Sequence, residues 1–465
     1  MKQRTYIWSA IERLGVSGIS LLGNVVLALL LSPSDFGLIA MLGVFTSLVY
    51  ALIDCGLADA LLREEAPSNR DFNTLFYFNV AIGLLLWLVF VALAPMVAHF
   101  FAHPELQPIM SVLGASALFT GLSISQAARL RNQLHFQKLA FIGMGAIALA
   151  LLVAVVMAWR GCGYWALVEL QVGYAAFYFL FLLVGSHWSL RLEFDLPRFK
   201  QLWQFGANLL LSTIFTQVTQ NILAFVLGKF YNPMQAGYMG QAQKMQQAPV
   251  NAIEGSISNA GYVLAAQSWQ PEERQRSLRR SFALLTLSLS AACCGLLSVS
   301  APLVTSLFPE RWQPVIPYLR LLLCWGLVYP LNGYMMMVFK LAGRTALVRN
   351  VQIIEKSVIV AMALSLSHLG IPVMILSFVG VSLVSLLVCM RWASLYEGIS
   401  WRWYVTTWLH ALALMATAGF VAWMVTRAVM ASWFSLVAGL VTFTVAAWAF
   451  LALAGKPLLR VIRST

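Results

Sequence analysis

Long apolar runs separated by short polar breaks dominate the pattern of the chain. Runs of about twenty or more apolar residues are long enough to cross the hydrocarbon core of a bilayer as helices. We therefore expect an all-α integral membrane protein with little chain left for a soluble domain. The pattern predicts fourteen transmembrane helices, near 14–32, 36–61, 73–101, 106–128, 139–159, 163–186, 202–228, 235–265, 281–307, 314–339, 347–367, 370–390, 403–426 and 430–454.

The composition leads to the same class of protein. Hydrophobic residues make up 60% of the chain and charged residues 10%, whereas soluble globular chains average about 45–50% and about 25%. This difference excludes a soluble enzyme and a secreted disulfide-stabilised domain. The six cysteines fall mostly inside apolar runs and lack any framework spacing, so we interpret them as small hydrophobic side chains. We expect neither a cofactor nor a metal site.

The net charge of +13 is explained by the orientation of the chain in the membrane. With the N-terminus placed inside, 23 of the 30 Lys and Arg residues fall in predicted inner segments and four in outer ones. Short cytoplasmic loops of membrane proteins carry such an excess of positive charge. The distribution predicts that both termini are cytoplasmic, and we expect no nucleic-acid partner.

A short repeat relates the two halves of the chain. The second predicted helix begins PSDFGLIAM at Pro33 and the eighth begins PMQAGYMGQ at Pro233, so both read Pro-x-x-x-Gly. Transporters are often built from such repeats. We predict two six-helix lobes around a central cavity, followed by a C-terminal helix pair. The boundaries are residues 1–186, an inter-lobe linker over 187–200, residues 201–392, and residues 393–465.

The eighth predicted helix carries a polar strip that should not face lipid. Amide, ammonium and carboxylate groups recur on one helical face: Lys244, Gln247, Asn251, Glu254 and Ser258. The seventh helix adds the amides of Gln220 and Asn221. Such a strip either lines a water-filled cavity or makes a buried polar contact with another helix.

Basic residues gather at the predicted inner ends of the fourth and fifth helices. Arg129, Arg131 and Lys138 form this group, and Arg344 after the tenth helix is a similar candidate. Arginine suits bidentate contact with phosphate, and lysine acts as a point charge. The group is either a vestibule for an anionic lipid headgroup or inner-side positive charge touching ordinary anionic lipids.

Acids inside the predicted helices are candidates for ion coupling, because a carboxylate in hydrocarbon is costly without a partner or water. The candidates are Asp54, Glu254 and Glu355. His99 and His103 have the spacing of a metal pair, but a zinc site would need further ligands. We find no motif typical of a catalytic site.

Three segments carry a family resemblance. LLSPSDFGLIAMLGVF (30–45), DCGLADALLREE (54–65) and RNQLHFQKLA (131–140) resemble the polysaccharide transporter family of Wzx-type flippases, in the branch serving exopolysaccharide and colanic-acid-type export. This family belongs to the multidrug/oligosaccharidyl-lipid/polysaccharide exporter superfamily. The resemblance implies a protein of the bacterial cytoplasmic membrane that moves undecaprenyl-diphosphate-linked oligosaccharide repeat units to the outer leaflet. It implies alternating access, contact with membrane lipids, and work beside a polysaccharide polymerase and a chain-length regulator. We expect the protein to act as a monomer.

Two other functions remain open. A multidrug, metabolite or cation antiporter of the same superfamily would share the fold, although the deep acids are few relative to the amides and bases. A membrane enzyme, such as a glycan polymerase or ligase, would need a sizeable outer loop, and the predicted outer loops are short.

Overall fold

The computed structural model describes residues 2–54, 57–62, 68–186, 193–268, 270–429, 432–455, 458 and 461–462. All regular elements in these ranges are helices. Two are short 3-10 helices, at Glu310–Trp312 and Ser367–Leu369. The others are α1 (Lys2–Leu30), α2 (Pro33–Met41), α3 (Gly43–Asp54), α4 (Leu57–Leu62), α5 (Asn69–Phe101), α6 (Leu106–Asn132), α7 (Phe136–Trp159), α8 (Trp165–Ser186), α9 (Leu196–Phe230), α10 (Pro233–Gln267), α11 (Pro271–Leu307), α12 (Val315–Gly326), α13 (Tyr329–Leu341), α14 (Thr345–Ser365), α15 (Ile371–Glu397), α16 (Trp401–Ala428) and α17 (Ser432–Ala454).

The described helices confirm an all-helical, multi-pass membrane architecture. Nine helical stretches are long and apolar enough to cross a bilayer, and the bent pair α2–α3 passes the same criteria when taken together. The remaining predicted segments correspond to α1, α9, α10 and α14, which contain more polar residues. The count of fourteen spans therefore stays a prediction.

Two predicted segments, near 36–61 and 314–339, each contain more than one helix, although Val315–Leu341 as a whole is long and apolar enough to cross a bilayer. In the first, α2 and α3 meet at a bend of 46°. Gly43 follows this bend, and an added Cβ there would lie 2.9 Å from Oδ1 of Asn221. The second is divided into α12 and α13, with Pro330 in the first turn of α13. Proline fits a helix start but has no N–H to continue a preceding helix.

The chain forms two compact units, Met1–Gly237 and Tyr238–Thr465, called unit 1 and unit 2 below. Unit 1 includes α9, which packs along α3. Asn221 on α9 donates a hydrogen bond from Nδ2 to Oγ of Ser47 at 3.1 Å, and Gly228 leaves room for Met41. The boundaries predicted for the six-helix lobes stay a prediction, since packing groups α9 with the helices before it.

The two copies of the sequence repeat contact each other within unit 1. Pro33 begins α2 and Pro233 begins α10. A Cβ added to Gly37 would overlap the carbonyl oxygen of Pro233, and one added to Gly237 would overlap that of Pro33. Each glycine therefore lets its helix approach the backbone at the start of the other helix.

Unit 2 is organised around α11. Its middle packs on α16 and α17 through a core that includes Cys294, Met415 and Phe443. Near its start, Nε of Arg274 lies 2.9 Å from Oε2 of Glu397 at the end of α15. The Glu397 side chain is 0% exposed, so this ion pair fixes the beginning of α11 against α15.

Substituting Gly37 tests the helix crossing. We expect Gly37→Ala to lower the stability of the protein by about 1–3 kcal/mol or more, because the α2 and α10 backbones must separate to admit the methyl group. The measurement is the midpoint of thermal unfolding in detergent. Gly18→Ala is the matched control, since an added Cβ at this α1 glycine meets nothing within 4 Å. Equal midpoints for the two variants would contradict the tight crossing.

Candidate functional site

Unit 1 contains a cavity of about 630 Å³. Small-molecule sites in proteins commonly have volumes of roughly 300–1,000 Å³. Its wall is built by α1, α3, α4, α6, α7, α8 and α9. The polar and aromatic side chains of the wall are Glu12, Tyr50, Thr120, Ser123, Arg131, Tyr174, Tyr178, Thr213 and Gln217.

Two opposite charges face this cavity from different helices. Glu12 lies on α1, and Arg131 lies in the last turn of α6. Both charges act electrostatically on Tyr174 and Tyr178, so the carboxylate and the guanidinium are near the same pair of phenols. These tyrosines are one turn apart on α8, with ring centroids 5.9 Å apart. The wall thus joins a cation, an anion and two aromatic rings.

The neighbouring helices approach closely enough to enclose this wall because α7 presents a glycine. An added Cβ at Gly143 would lie 3.2 Å from Cγ2 of Val16 and 4.0 Å from Cε2 of Tyr178. A larger residue would push α7 away from α1 and from the tyrosine. Gly143 therefore allows Tyr178 to sit in the cavity wall.

The predicted basic group is divided by the structure. Arg131 lines the cavity, whereas Lys138 is exposed in the first turn of α7. Arg129 is absent from the cavity wall, and its Nη1 is buried with no hydrogen-bond partner among the described residues. One of the three predicted phosphate ligands is thus positioned at the cavity.

Of the two amides predicted on α9, Asn221 is used in packing. Besides its bond to Ser47, its Nδ2 donates to the carbonyl oxygen of Gln217 at 2.9 Å. Gln220 is exposed. The residue that faces the cavity is Gln217, one turn before Asn221. Asp54 ends α3, and its side chain lies outside the described part of the structure.

The predicted polar strip of α10 lies in unit 2. Lys244 is exposed and Gln247 is half-buried. Asn251 accepts a hydrogen bond at Oδ1 from the hydroxyl of Tyr329 at 2.9 Å. Glu254 packs against Gly333, where an added Cβ would lie 3.0 Å from Oε1. Asn251 therefore makes a polar contact with α13, and Glu254 lies against the same helix.

Glu355 is the centre of a hydrogen-bond network in unit 2. Its Oε1 accepts from Nδ2 of Asn332 on α13 at 3.1 Å, and its Oε2 accepts from Oγ of Ser385 on α15 at 2.9 Å. Asn332 also donates to the carbonyl oxygen of Ser382 at 2.9 Å. The carboxylate thus connects α13, α14 and α15. Such partners lower the cost of keeping an acid inside a membrane protein.

Arg344, the last predicted phosphate ligand, precedes α14 and is exposed. Its guanidinium carbon lies 5.1 Å from the ring centroid of Tyr396, a cation–π contact within unit 2. For metals, the residues that the structure describes contain no group of three His, Cys, Asp or Glu side chains able to hold an ion. His103 instead lies with Nδ1 3.8 Å from Glu105.

A family model described as "Polysaccharide biosynthesis protein" matches residues 26–317, more than half of the chain. The chain belongs to this family. The resemblance inferred from the sequence segments is thereby confirmed, and the helices make this polysaccharide biosynthesis protein a multi-pass protein of the inner membrane.

Relatives with similar sequences include two named polysaccharide proteins. The lipopolysaccharide biosynthesis protein WzxC of Escherichia coli is 24% identical over 69% of this chain and 66% of its own length. The succinoglycan biosynthesis transport protein ExoT of Rhizobium meliloti is 25% identical over 70% of this chain and 67% of its own length. The matched region thus spans about two thirds of each relative.

Solved structures show the same fold. The lipid II flippase MurJ has a TM-score of 0.76 at 12% identity, over 98% of this chain and 100% of that chain. A multidrug resistance MATE family transporter, solved in its outward-facing conformation, has a TM-score of 0.55 at 16% identity, over 85% of this chain and 95% of that chain. This family member therefore has the fold shared by MurJ and MATE transporters.

Removing the carboxylate of Glu355 tests its structural role. We expect Glu355→Ala to destabilise the protein by about 1–3 kcal/mol, because the donors of Asn332 and Ser385 lose an acceptor. Glu355→Gln should cost less, since the amide keeps one acceptor oxygen. The measurement is the thermal unfolding midpoint in detergent, with Glu273→Ala as an exposed acidic control in the same unit. A Glu355→Ala protein that melts like the control would contradict the network.

Proposed function

We propose that this protein is a flippase for undecaprenyl-diphosphate-linked oligosaccharide repeat units. It moves them from the inner to the outer leaflet of the cytoplasmic membrane for the synthesis of a surface polysaccharide, by alternating access. It acts as a transporter and not as an enzyme. The observation that carries the proposal is a cavity with Arg131 in its wall, inside a multi-pass member of a polysaccharide biosynthesis family.

The physical need for such a protein follows from the chemistry of the substrate. A diphosphate with attached sugars cannot enter hydrocarbon without groups that replace its water. A guanidinium supplies charge-assisted, bidentate hydrogen bonds to phosphate oxygens. The side chains of Ser123, Thr213 and Gln217 in the cavity wall are suited to sugar hydroxyls. The polyprenyl tail can remain in lipid throughout.

The names of relatives support a lipid-linked glycan as the substrate class. WzxC and ExoT are named for lipopolysaccharide biosynthesis and for succinoglycan transport, and MurJ is a lipid II flippase. These properties belong to those proteins, and we extend them to this chain as part of the proposal. The partners proposed are the lipid-linked oligosaccharide, surrounding membrane lipids, a polysaccharide polymerase and a chain-length regulator, with the flippase itself monomeric.

The proposal includes the sequence-based topology and site. Two six-helix lobes, fourteen spans and cytoplasmic termini remain part of it. Basic residues bind phosphate, amides bind sugar hydroxyls, and acids carry the coupling ion. The proposed phosphate ligands are Arg129, Arg131, Lys138, Lys244 and Arg344. The amides proposed to bind sugar hydroxyls are Gln220, Asn221, Gln247 and Asn251. The acids proposed to carry the coupling ion are Asp54, Glu254 and Glu355.

A second candidate is a multidrug, metabolite or cation antiporter. It is favoured by the fold similarity to a MATE multidrug transporter and by the membrane acids Glu254 and Glu355. An antiporter of this kind would change resistance to toxic cations without changing surface polysaccharide. The two functions therefore differ in a measurable phenotype.

Deletion and complementation test the proposed function. In a strain that lacks any substitute flippase, deletion should abolish surface polysaccharide and retain lipid-linked repeat units at the inner leaflet. The wild-type gene should restore export. A normal polysaccharide yield after deletion would contradict the proposal, and altered drug resistance in its place would support the antiporter.

Charge reversal tests the cavity. We expect Arg131→Glu to reduce export on the order of ten-fold or more, because it repels phosphate at the position where the wild-type wall attracts it. Export is measured by complementation at matched levels of folded membrane protein. Arg276→Glu, at an exposed basic residue of α11 outside the cavity wall, should export normally. Normal export by both variants would show that Arg131 does not bind the substrate.

A further inference from the structure

The helices α11 and α16 begin side by side in unit 2. The rings of Phe282 and Tyr404 meet edge to face with their centroids 4.9 Å apart, and the ring of Trp403 lies 6.0 Å from that of Phe282. The guanidinium carbon of Arg279 lies 5.6 Å from the centroid of the Trp403 ring, a cation–π contact. The starts of the two helices therefore form one continuous surface that contains both basic and aromatic side chains.

Like charges gather on this surface. Arg276, Arg279 and Arg280 are three and four residues apart on α11, so they are neighbours on one side of the helix. Arg402 lies beside Trp403 in the first turn of α16, and Arg276, Arg280 and Arg402 are exposed. Charges of one sign at such spacings repel each other. An anion bound between the two helix starts would relieve this repulsion.

The acids near this surface do not balance its charge. Glu397 is in the ion pair with Arg274 described above, and its side chain is 0% exposed. Glu272 and Glu273 lie one turn before Arg276, a spacing at which an acid and a base attract each other. Over 271–280, 397 and 401–404 the chain carries five arginines and three glutamates. The excess positive charge therefore lies with the last two arginines of this α11 segment and the arginine of α16, and it suits an anionic ligand.

The first residues of α16 indicate the depth of the surface in the membrane. This helix is long and apolar enough to cross a bilayer, and it begins Trp-Arg-Trp-Tyr. Tryptophan and tyrosine are enriched at the level of lipid headgroups. Leu409, two turns after Arg402 on the same side of the helix, is 49% exposed and suits an acyl chain. The arginines thus lie at the depth of lipid phosphates, next to an apolar side chain at the depth of lipid tails.

We propose that Arg279, Arg280 and Arg402, together with Trp401 and Trp403, form a site for the headgroup of an anionic phospholipid in the leaflet that the sequence places on the cytoplasmic side. The arginines bind the phosphate through charge-assisted hydrogen bonds, and the Trp403 ring orients the Arg279 guanidinium. Basic pockets between membrane helices recognise anionic headgroups in this way. The bound lipid stabilises the packing of α16 on α11, and this role does not depend on the proposed flippase function.

Lipid binding to the purified full-length protein tests the site. The protein is delipidated in a neutral detergent, and native mass spectrometry measures binding of phosphatidylglycerol and of phosphatidylcholine with the same acyl chains. We expect phosphatidylglycerol to bind on the order of ten-fold more tightly, because both lipids carry a phosphate but only phosphatidylglycerol has a net negative charge. It should also raise the midpoint of thermal unfolding more than phosphatidylcholine does, since a ligand of the folded state stabilises that state.

A double variant removes the charge of the site. Arg280→Gln combined with Arg402→Gln should lose most of the preference for phosphatidylglycerol, and unchanged binding of phosphatidylcholine shows that the variant is folded. The matched control is Arg349→Gln combined with Arg427→Gln, which removes two other exposed arginines of unit 2. Arg427 is also stacked on a tryptophan, with its guanidinium carbon 4.2 Å from the ring centroid of Trp423 near the other end of α16. This control should keep the preference.

Arg279→Lys separates a built site from general attraction to a negative membrane surface. Lysine keeps the charge but lacks the planar group that stacks on Trp403 and binds phosphate with two hydrogen bonds. We expect this variant to bind phosphatidylglycerol several-fold more weakly than the wild type. Wild-type binding by Arg279→Lys would show that positive charge alone attracts the lipid, and it would overturn the site.

Two further results would overturn the proposal. One is equal binding of the two lipids by the wild type, or an equal preference in the Arg280/Arg402 double variant and its control. The other concerns a soluble oligoglutamate peptide, which serves as a probe for an acidic protein partner. If the peptide binds the wild type and not the double variant, while phosphatidylglycerol shows no preference, the surface binds an acidic protein and the lipid assignment is wrong.

Discussion

The constraint on which this structure depends is that a charged or polar group inside a membrane protein needs either water or a partner. The two units meet it differently. In unit 1, Glu12 and Arg131 reach a cavity large enough for water or a polar ligand. In unit 2, Glu355 obtains hydrogen bonds from α13 and α15. In unit 1 the charged groups line a cavity, and in unit 2 the carboxylate is hydrogen-bonded between helices.

The sequence repeat contributes the framework of unit 1. Gly37 and Gly237 each lie against the proline carbonyl that begins the other repeat, so the backbones at the starts of α2 and α10 are in direct contact. The bend after α2 then directs α3 along α9, and Tyr50 on α3 reaches the cavity wall. A duplicated motif thus determines the position of one side of the candidate site.

The sequence predicts the positions of helices better than it predicts which side chains face the cavity. Apolar runs are a local signal, so the segments of the described helices were predictable. Pro330 indicates the break before α13, but the apolar run continues across this proline, so hydropathy alone predicts a single segment. Glu12 was missed because the first apolar segment was predicted to begin at residue 14, whereas α1 begins at Lys2. Arg131 faces the cavity and Arg129 does not, since residues two apart on a helix point in different directions and tertiary packing decides which one faces inward.

The central claim is that the unit 1 cavity admits the glycan head of a lipid-linked substrate. Site-specific photo-crosslinking in cells tests it most directly. A photoreactive amino acid replaces Gln217 in the cavity wall, or Leu152, which is 61% exposed on α7 and absent from that wall. The account predicts a glycan-bearing lipid crosslinked at position 217 and only ordinary phospholipid at position 152. Glycan-bearing lipid captured equally at both positions, or at neither while export continues, would contradict it.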